Sequence, residues 1–113
     1  MKYIIAVIQP DRLDVVLQLL EEKEIHLVTV SQVMGRGRQK GIAEVYRSHT
    51  EGGRLLKKVK LEIAVNDEYV KPTVEAVIEG GRTGRIGDGK IFVIDLKDVI
   101  RVRTGETGHV AIG

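Results

Sequence analysis

Residues Val59, Leu61, Ile63 and Val65 alternate with Lys58, Lys60 and Glu62. This period-two pattern marks a strand with one apolar and one charged face. Tyr3 to Ile8 is rich in Ile and Val and stops before Pro10, which reads as a buried strand. From Asp11 onward, Leu13, Val16, Leu17 and Leu20 fall at helical spacing, with Glu21, Glu22 and Lys23 on the polar side, so an amphipathic helix is expected. Residues 26–34 are β-branched and partly alternating, a further strand. Asn66 or Asp67 can cap a second helix whose apolar stripe is Val70, Val74, Val77 and Ile78. Pro72 lacks an N–H donor, so the regular helix is expected to begin near it after an irregular first turn, with Gly80 and Gly81 at its end. Ile91 to Leu96 is a fourth main strand. Val99 to Arg103 predicts a short edge strand carrying Arg101 and Arg103 on one face.

The order β-α-β-β-α-β predicts an α+β fold, a ferredoxin-like sandwich with both helices on one sheet face. Strands two and three are joined by an unusually long segment, about residues 36–55, where a hairpin normally closes in about 2–5 residues. The segment is polar and glycine-containing, and a mobile, basic, glycine-hinged arm is the natural reading.

At 113 residues the chain has room for one core, so residues 1–113 are expected to form a single domain. Its 42% apolar and 30% charged residues are ordinary for a folded domain. Cysteine is missing, which excludes disulfides and thiolate chemistry. Neither a membrane-length apolar run nor a leader pattern is seen, so a cytoplasmic location is expected. Charge is unevenly spread. Residues 35–60 hold eight basic side chains against Glu44 and Glu51, a net +6, which leaves −4 elsewhere in a chain whose total is +2. Such a segment attracts anions.

Two glycine-rich stretches flank strands. Gly35-Arg36-Gly37-Arg38-Gln39-Lys40-Gly41 fails the dinucleotide fingerprint, because its third glycine is one residue late and no helix follows. Gly84-Arg85-Ile86-Gly87-Asp88-Gly89-Lys90-Ile91 meets most of a Walker A pattern, but Ile91 stands where a magnesium-binding hydroxyl is needed and the segment runs from helix to strand. The underlying physics survives: glycines let backbone N–H groups approach phosphate oxygens, and Lys90, Arg101, Arg103 and Arg38 can add charge. Each stretch alone reads as a plain turn. Together, with basic residues beside them, they point to a phosphate-bearing ligand. Asp88, between two glycines, is expected to support its turn. His26, His49 and His109 have no metal-ligand spacing.

These stretches, read with Thr83 to Val93 and with Arg101-Val102-Arg103-Thr104-Gly105-Glu106, resemble the signatures of the PII nitrogen-regulatory signal-transduction family along essentially the whole chain. The resemblance implies a trimer with nucleotide sites in the clefts between subunits, and it makes the long arm the T-loop. It implies ATP or ADP binding by Thr29, Gly35, Gly37, Arg38, Glu62, Gly87, Asp88, Gly89 and Lys90, with Arg101 and Arg103 reaching phosphates across the subunit boundary. Gln39 matches the Mg²⁺ ligand of the family. Lys58 matches the residue that pairs with the distal carboxylate of 2-oxoglutarate, and Lys40 and Gly41 belong to that same site. The implied activity is a switch rather than an enzymatic reaction: ATP, Mg²⁺ and 2-oxoglutarate favour one T-loop pose, ADP another, and a target protein reads the difference.

The tip of the arm departs from the family. Tyr46 and Arg47 match, but Ser48-His49-Thr50-Glu51 replaces the usual sequence. Glu51 stands at the tyrosine that many members uridylylate, so that modification is not available, and His49 stands at a serine phosphorylated in others. Ser48 keeps a hydroxyl. Tyr46, Arg47, Ser48 and His49 are the expected partner contacts. Arg47 matches the arginine that plugs ammonium channels, which implies recruitment to the membrane by such a transporter, or by a transporter outside nitrogen metabolism. The alternatives are an RRM-like RNA-binding module, which shares this strand order but stacks bases on aromatics that one Phe and three Tyr hardly supply, and a small-molecule hydrolase. Neither nucleic-acid binding nor catalysis is expected.

Overall fold

The computed structural model describes residues 1–37 and 54–113. Most of the expected arm, including Arg38, Gln39, Lys40, Gly41, Tyr46, Arg47, Ser48 and His49, lies outside the described residues. Strands β1 (Lys2–Ile8), β2 (Thr29–Gly35), β3 (Leu56–Val65) and β4 (Gly89–Asp95) form one sheet among the described residues. Its order is β2-β3-β1-β4, and each neighbouring pair is antiparallel. Helix α1 (Leu13–Glu22) follows β1, and α2 (Val70–Gly81) follows β3. This is the expected ferredoxin-like βαββαβ order.

The alternation in β3 does what its pattern predicts. Val59, Leu61, Ile63 and Val65 are buried, and register sets Ile4 against Ile63, Ala6 against Leu61 and Ile8 against Val59. These side chains meet Val16 and Leu20 of α1 and Ala76 and Val77 of α2 in one core. Each large aliphatic residue so buried contributes about 1.5–3 kcal/mol. The other sheet face carries Tyr3, Ile5 and Val7 of β1 with Phe92 and Ile94 of β4; neither α1 nor α2 covers it, and Ala111 and Ile112 near the C-terminus stand beside its Tyr3 end.

Four expectations need correction: the start of β2, the side-chain cap of the second helix (whose expected irregular first turn before a start near Pro72 is present), its buried line, and the last strand. Strand β2 begins at Thr29 rather than residue 26. The chain leaves α1 through Glu24 in a left-handed conformation (φ 63°) and Ile25, whose N–H returns to Leu20 O, while His26 pairs with Glu21 at 2.8 Å. Helix α2 begins at Val70, behind a 3-10 turn at Asp67–Tyr69. Pro72 is therefore third in the helix, where an N–H has no intrahelical acceptor to lose. Asn66 makes no side-chain cap; its amide donates to His109 O at 3.3 Å. The buried line of α2 is Thr73, Ala76, Val77 and Gly80, whereas Ile78 is exposed. Small residues face α1 because the helices approach closely: a Cβ on Gly80 would lie 2.8 Å from Val16 Cγ2 and 3.0 Å from Val16 Cα. Finally, Val99–Arg103 is not a strand. One bridge joins Ile100 to Thr107, and the segment between reverses through Gly105 (φ 75°), with Gly105 N–H donating to Arg101 O. A last short helix, α3 (His109–Ile112), follows.

Gly80→Ala should therefore destabilise the fold by about 1–3 kcal/mol through overpacking against Val16, although alanine is the better helix former. Urea unfolding checks the sign.

Candidate functional site

The topology brings one end of every strand to the same end of the sheet. Ile8, the last residue of β1, pairs with Val59 near the start of β3 and with Gly89 at the start of β4, and β2 ends beside them at Gly35. Across that end runs the corner Thr83–Gly89. Its brace is Asp88, whose Oδ2 accepts the N–H groups of Thr83 (2.7 Å) and Gly84 (2.8 Å), while Oδ1 accepts the Thr83 hydroxyl. The Thr83 hydroxyl, reinforced by the Thr83 and Gly84 amides, holds the Asp88 carboxyl below its usual range. Both carboxylate oxygens are thus occupied in the turn, the supporting role that the Gly-Asp-Gly sequence suggests.

The corner docks on the sheet through one carbonyl. Gly87 O accepts Gln9 Nε2 at 2.7 Å and Lys58 Nζ at 3.0 Å. Lys58 is 8% exposed, and among the described residues no carboxylate pairs with it. Gly35 lies against the same lysine, since a Cβ there would sit 3.4 Å from Lys58 Cγ. Gly89 (φ 113°) must be glycine: a Cβ would fall 1.8 Å from Val7 O. Lys90 stands exposed on β4 opposite Val7, and Gly37 is exposed just beyond β2. Gly35, Lys58, Gly87, Asp88, Gly89 and Lys90 thus gather at one end of the sheet.

Thr29, Glu62, Arg101 and Arg103 do not join them. Thr29 pairs with Glu62, and Gly35 pairs with Leu56 six residues further along β2, about 20 Å away at the usual strand rise. At this far end a cleft of about 560 Å³ is lined by Tyr3, Leu27, Val28, Thr29, Glu62, Ala64, Val99, Ala111 and Ile112. Arg101 sits at its rim, tied to Glu106 Oε1 (3.0 Å) and to Val110 O and Ala111 O. Arg103 is exposed in the turn that replaces the expected edge strand. Among the described residues no cluster of three His, Asp or Glu side chains could hold a metal, and no helix is long and apolar enough to cross a membrane.

Residues 1–106 match the family model for "Nitrogen regulatory protein P-II". The chain belongs to the P-II family. It is 53% identical to nitrogen regulatory protein GlnK1 of Methanosarcina mazei over 114 residues, covering 99% of this chain and 97% of that protein. It is 52% identical to P-II 1 of Methanothermobacter thermautotrophicus (99% and 97%) and 50% to P-II of Pasteurella multocida (99% and 100%). P-II proteins are signalling regulators of nitrogen metabolism rather than enzymes, which decides against the RRM-like and hydrolase readings.

Two residues that the sequence reading passed over bear on the site. Gln9 gives a faint signal, a polar amide between an apolar strand and Pro10. Tyr3 gives almost none; its ring fits a strand, and only the hydroxyl, donated to Glu62, sets it apart.

The bracing of Asp88 has a pH signature. Its pKa is lowered on folding, so the stabilisation is fully present above the usual value near 3.8 and is lost as pH falls through the lower folded value. In an NMR acid titration the Thr83 and Gly84 amide shifts should stay constant down to about pH 4 and then move together. In Asp88→Asn they should be insensitive.

Proposed function

We propose that this P-II protein is a homotrimeric sensor that binds ATP or ADP between its subunits, binds 2-oxoglutarate together with ATP and Mg²⁺, and signals through the arm at about residues 36–55. One observation carries the reading. The two groups of candidate ligand residues lie about 20 Å apart on one copy, at opposite ends of β2, so a single nucleotide reaches both only if a second copy supplies the far half.

The glycine end suits phosphates. Gly87 and Gly89 have positive φ, which opens the backbone N–H groups of the corner to an anion, and Lys90 adds charge. Gly37 and Arg38 would extend this half, and Asp88 acts by holding the corner's shape. The far cleft, where Thr29 and Glu62 stand beside Leu27, Val28, Ala64 and Val99, suits a base and sugar; Arg101, which donates to Ala111 O in its lining, and Arg103 would meet the neighbour's phosphates. The uncovered sheet face, where Phe92 and Ile94 are 48% and 47% exposed, is the apolar surface that assembly would bury.

Lys58 supports the oxoacid site. A buried ammonium whose partner among the described residues is one neutral carbonyl favours an anion beside it, and two of its three donors are left for a carboxylate. The donors at the glycine end are N–H and ammonium groups, unsuited to a cation, so Mg²⁺ would be held by Gln39 with oxygens of the two ligands, and would supply charge neutralisation there. Lys40 and Gly41 would complete the pocket. Tyr46, Arg47, Ser48 and His49 would meet the target, for which an ammonium channel is the first candidate and another transporter the second, because the tip sequence departs from the family.

Calorimetric titration of ATP with and without 2-oxoglutarate and Mg²⁺ tests site and coupling together: each ligand should tighten the other. Lys58→Ala and Gln39→Ala should abolish 2-oxoglutarate binding and spare ADP. Unchanged 2-oxoglutarate affinity in both variants would end the proposal, as would a monomer by light scattering.

A further inference from the structure

The loop after α1 (residues 24–27), the end of β3 with the turn behind it (residues 64–69) and α3 surround a cavity of about 310 Å³. It is a separate space from the far cleft, with which it shares the walls Leu27, Ala64 and Ile112. Ile25, Val65 and Tyr69 continue the apolar lining. The polar lining has one sign: Glu24 and Glu68 bring carboxylates, and no lysine or arginine lines the cavity. His26 and His109 also line it, each facing a glutamate, His26 Nδ1 at 2.8 Å from Glu21 and His109 Nε2 at 3.7 Å from Glu68. Asn66, in the same lining, is 8% exposed. Its Nδ2 donates to His109 O at 3.3 Å, whereas its Oδ1 has no partner among the described residues. A buried carbonyl oxygen without a donor gives up its hydration for nothing, and native folds rarely leave one so. What this cavity lacks is a hydrogen-bond donor. An ammonium supplies three, finds its charge offset by the carboxylates, and can carry an apolar body to meet the walls. The volume lies at the lower end of the range of small-molecule sites, about 300–1,000 Å³.

We infer that this cavity binds a small organic cation, a primary ammonium on an apolar body, with Asn66 Oδ1 and the Glu68 carboxylate as its acceptors. Glu24 adds negative charge to the lining. A site without lysine or arginine has nothing to offer the phosphates and carboxylates of the ligands proposed above, so neither proposal depends on the other. The rival is purely structural, in which Asn66 pins α3 through His109 O and the cavity holds solvent alone.

The two are separated by titrating the full-length protein with 2-phenylethylammonium and, as the anion of matching size and shape, 3-phenylpropionate, each followed by amide NMR at neutral pH. The ammonium should shift the amides of Ile25, Asn66, Tyr69 and Ile112 saturably, with a Kd of about 1 mM or tighter. The anion should give no saturable shift there up to about 20 mM. Asn66→Leu, which removes the orphan acceptor, should weaken the ammonium by at least roughly fivefold. Glu68→Gln changes an exposed side chain, so the fold is kept, and should weaken it by roughly threefold; it decides alone if Asn66→Leu does not fold. The inference is overturned by an ammonium that gives no saturable shift or shifts only amides elsewhere, by equal binding of the anion, or by unchanged affinity in either folded variant.

Discussion

The carbonyl of Gly87 joins the two halves of this chain's chemistry. It takes one hydrogen bond from Gln9, at the end of the first strand, and one from Lys58, in the third. A glycine-rich corner would otherwise be expensive to order, since glycine loses more freedom on folding than other residues. Asp88 fixes the corner from within, and the contact of Gly89 with Val7 O fixes where it lies. The result is a preformed rim of backbone donors at the end of a sheet, with a buried ammonium beneath it.

Much of this was legible in the alternation of the strands. In β3 the period of two reports the core directly, because the helices cover one face and leave the other open. The turn role of Asp88 was legible as well, since a short acceptor flanked by glycines has few other uses. The second helix misled for a physical reason. Its large aliphatics suggested a stripe through Val70, Val74, Val77 and Ile78. Val77 is buried and Val70 and Val74 pack against the core, but Ile78 is exposed. A buried line of small residues runs instead through Thr73, Ala76 and Gly80, fitting the close approach of Gly80 to Val16. The segment from Val99 to Arg103 misled because alternation over five residues carries no information about a reversal just beyond it, at Gly105.

The division of the candidate site into two ends was not legible at all. Motifs are read in order along a chain, and nothing in their order says that Gly35 and Gly87 adjoin one lysine while Thr29 and Glu62 stand at the other end of the same ladder. Register supplies that fact. It also turns a list of family residues into a geometric demand: if both groups contact one nucleotide, as proposed, a second copy must supply one of them. Assembly and binding then become linked: an occupant bridging two copies stabilises the assembly by its own affinity, as any ligand stabilises the state that binds it.

Lys58 carries the same logic into the switch. Its ammonium donates to the Gly87 carbonyl, so under the proposed function an anion that recruits this lysine would act on the same corner that would meet the phosphates. Two ligands need not touch to influence each other when they share a group with two arrangements; each biases the equilibrium of that group, and the coupling is reciprocal. Gln9 gives the device its stability, because its amide retains the Gly87 carbonyl whichever way the lysine turns. With Gln9 as a second donor, the Gly87 carbonyl would keep a partner even if Lys58 turned toward an anion, so the corner would hold its shape, as cooperation between the two proposed ligands requires.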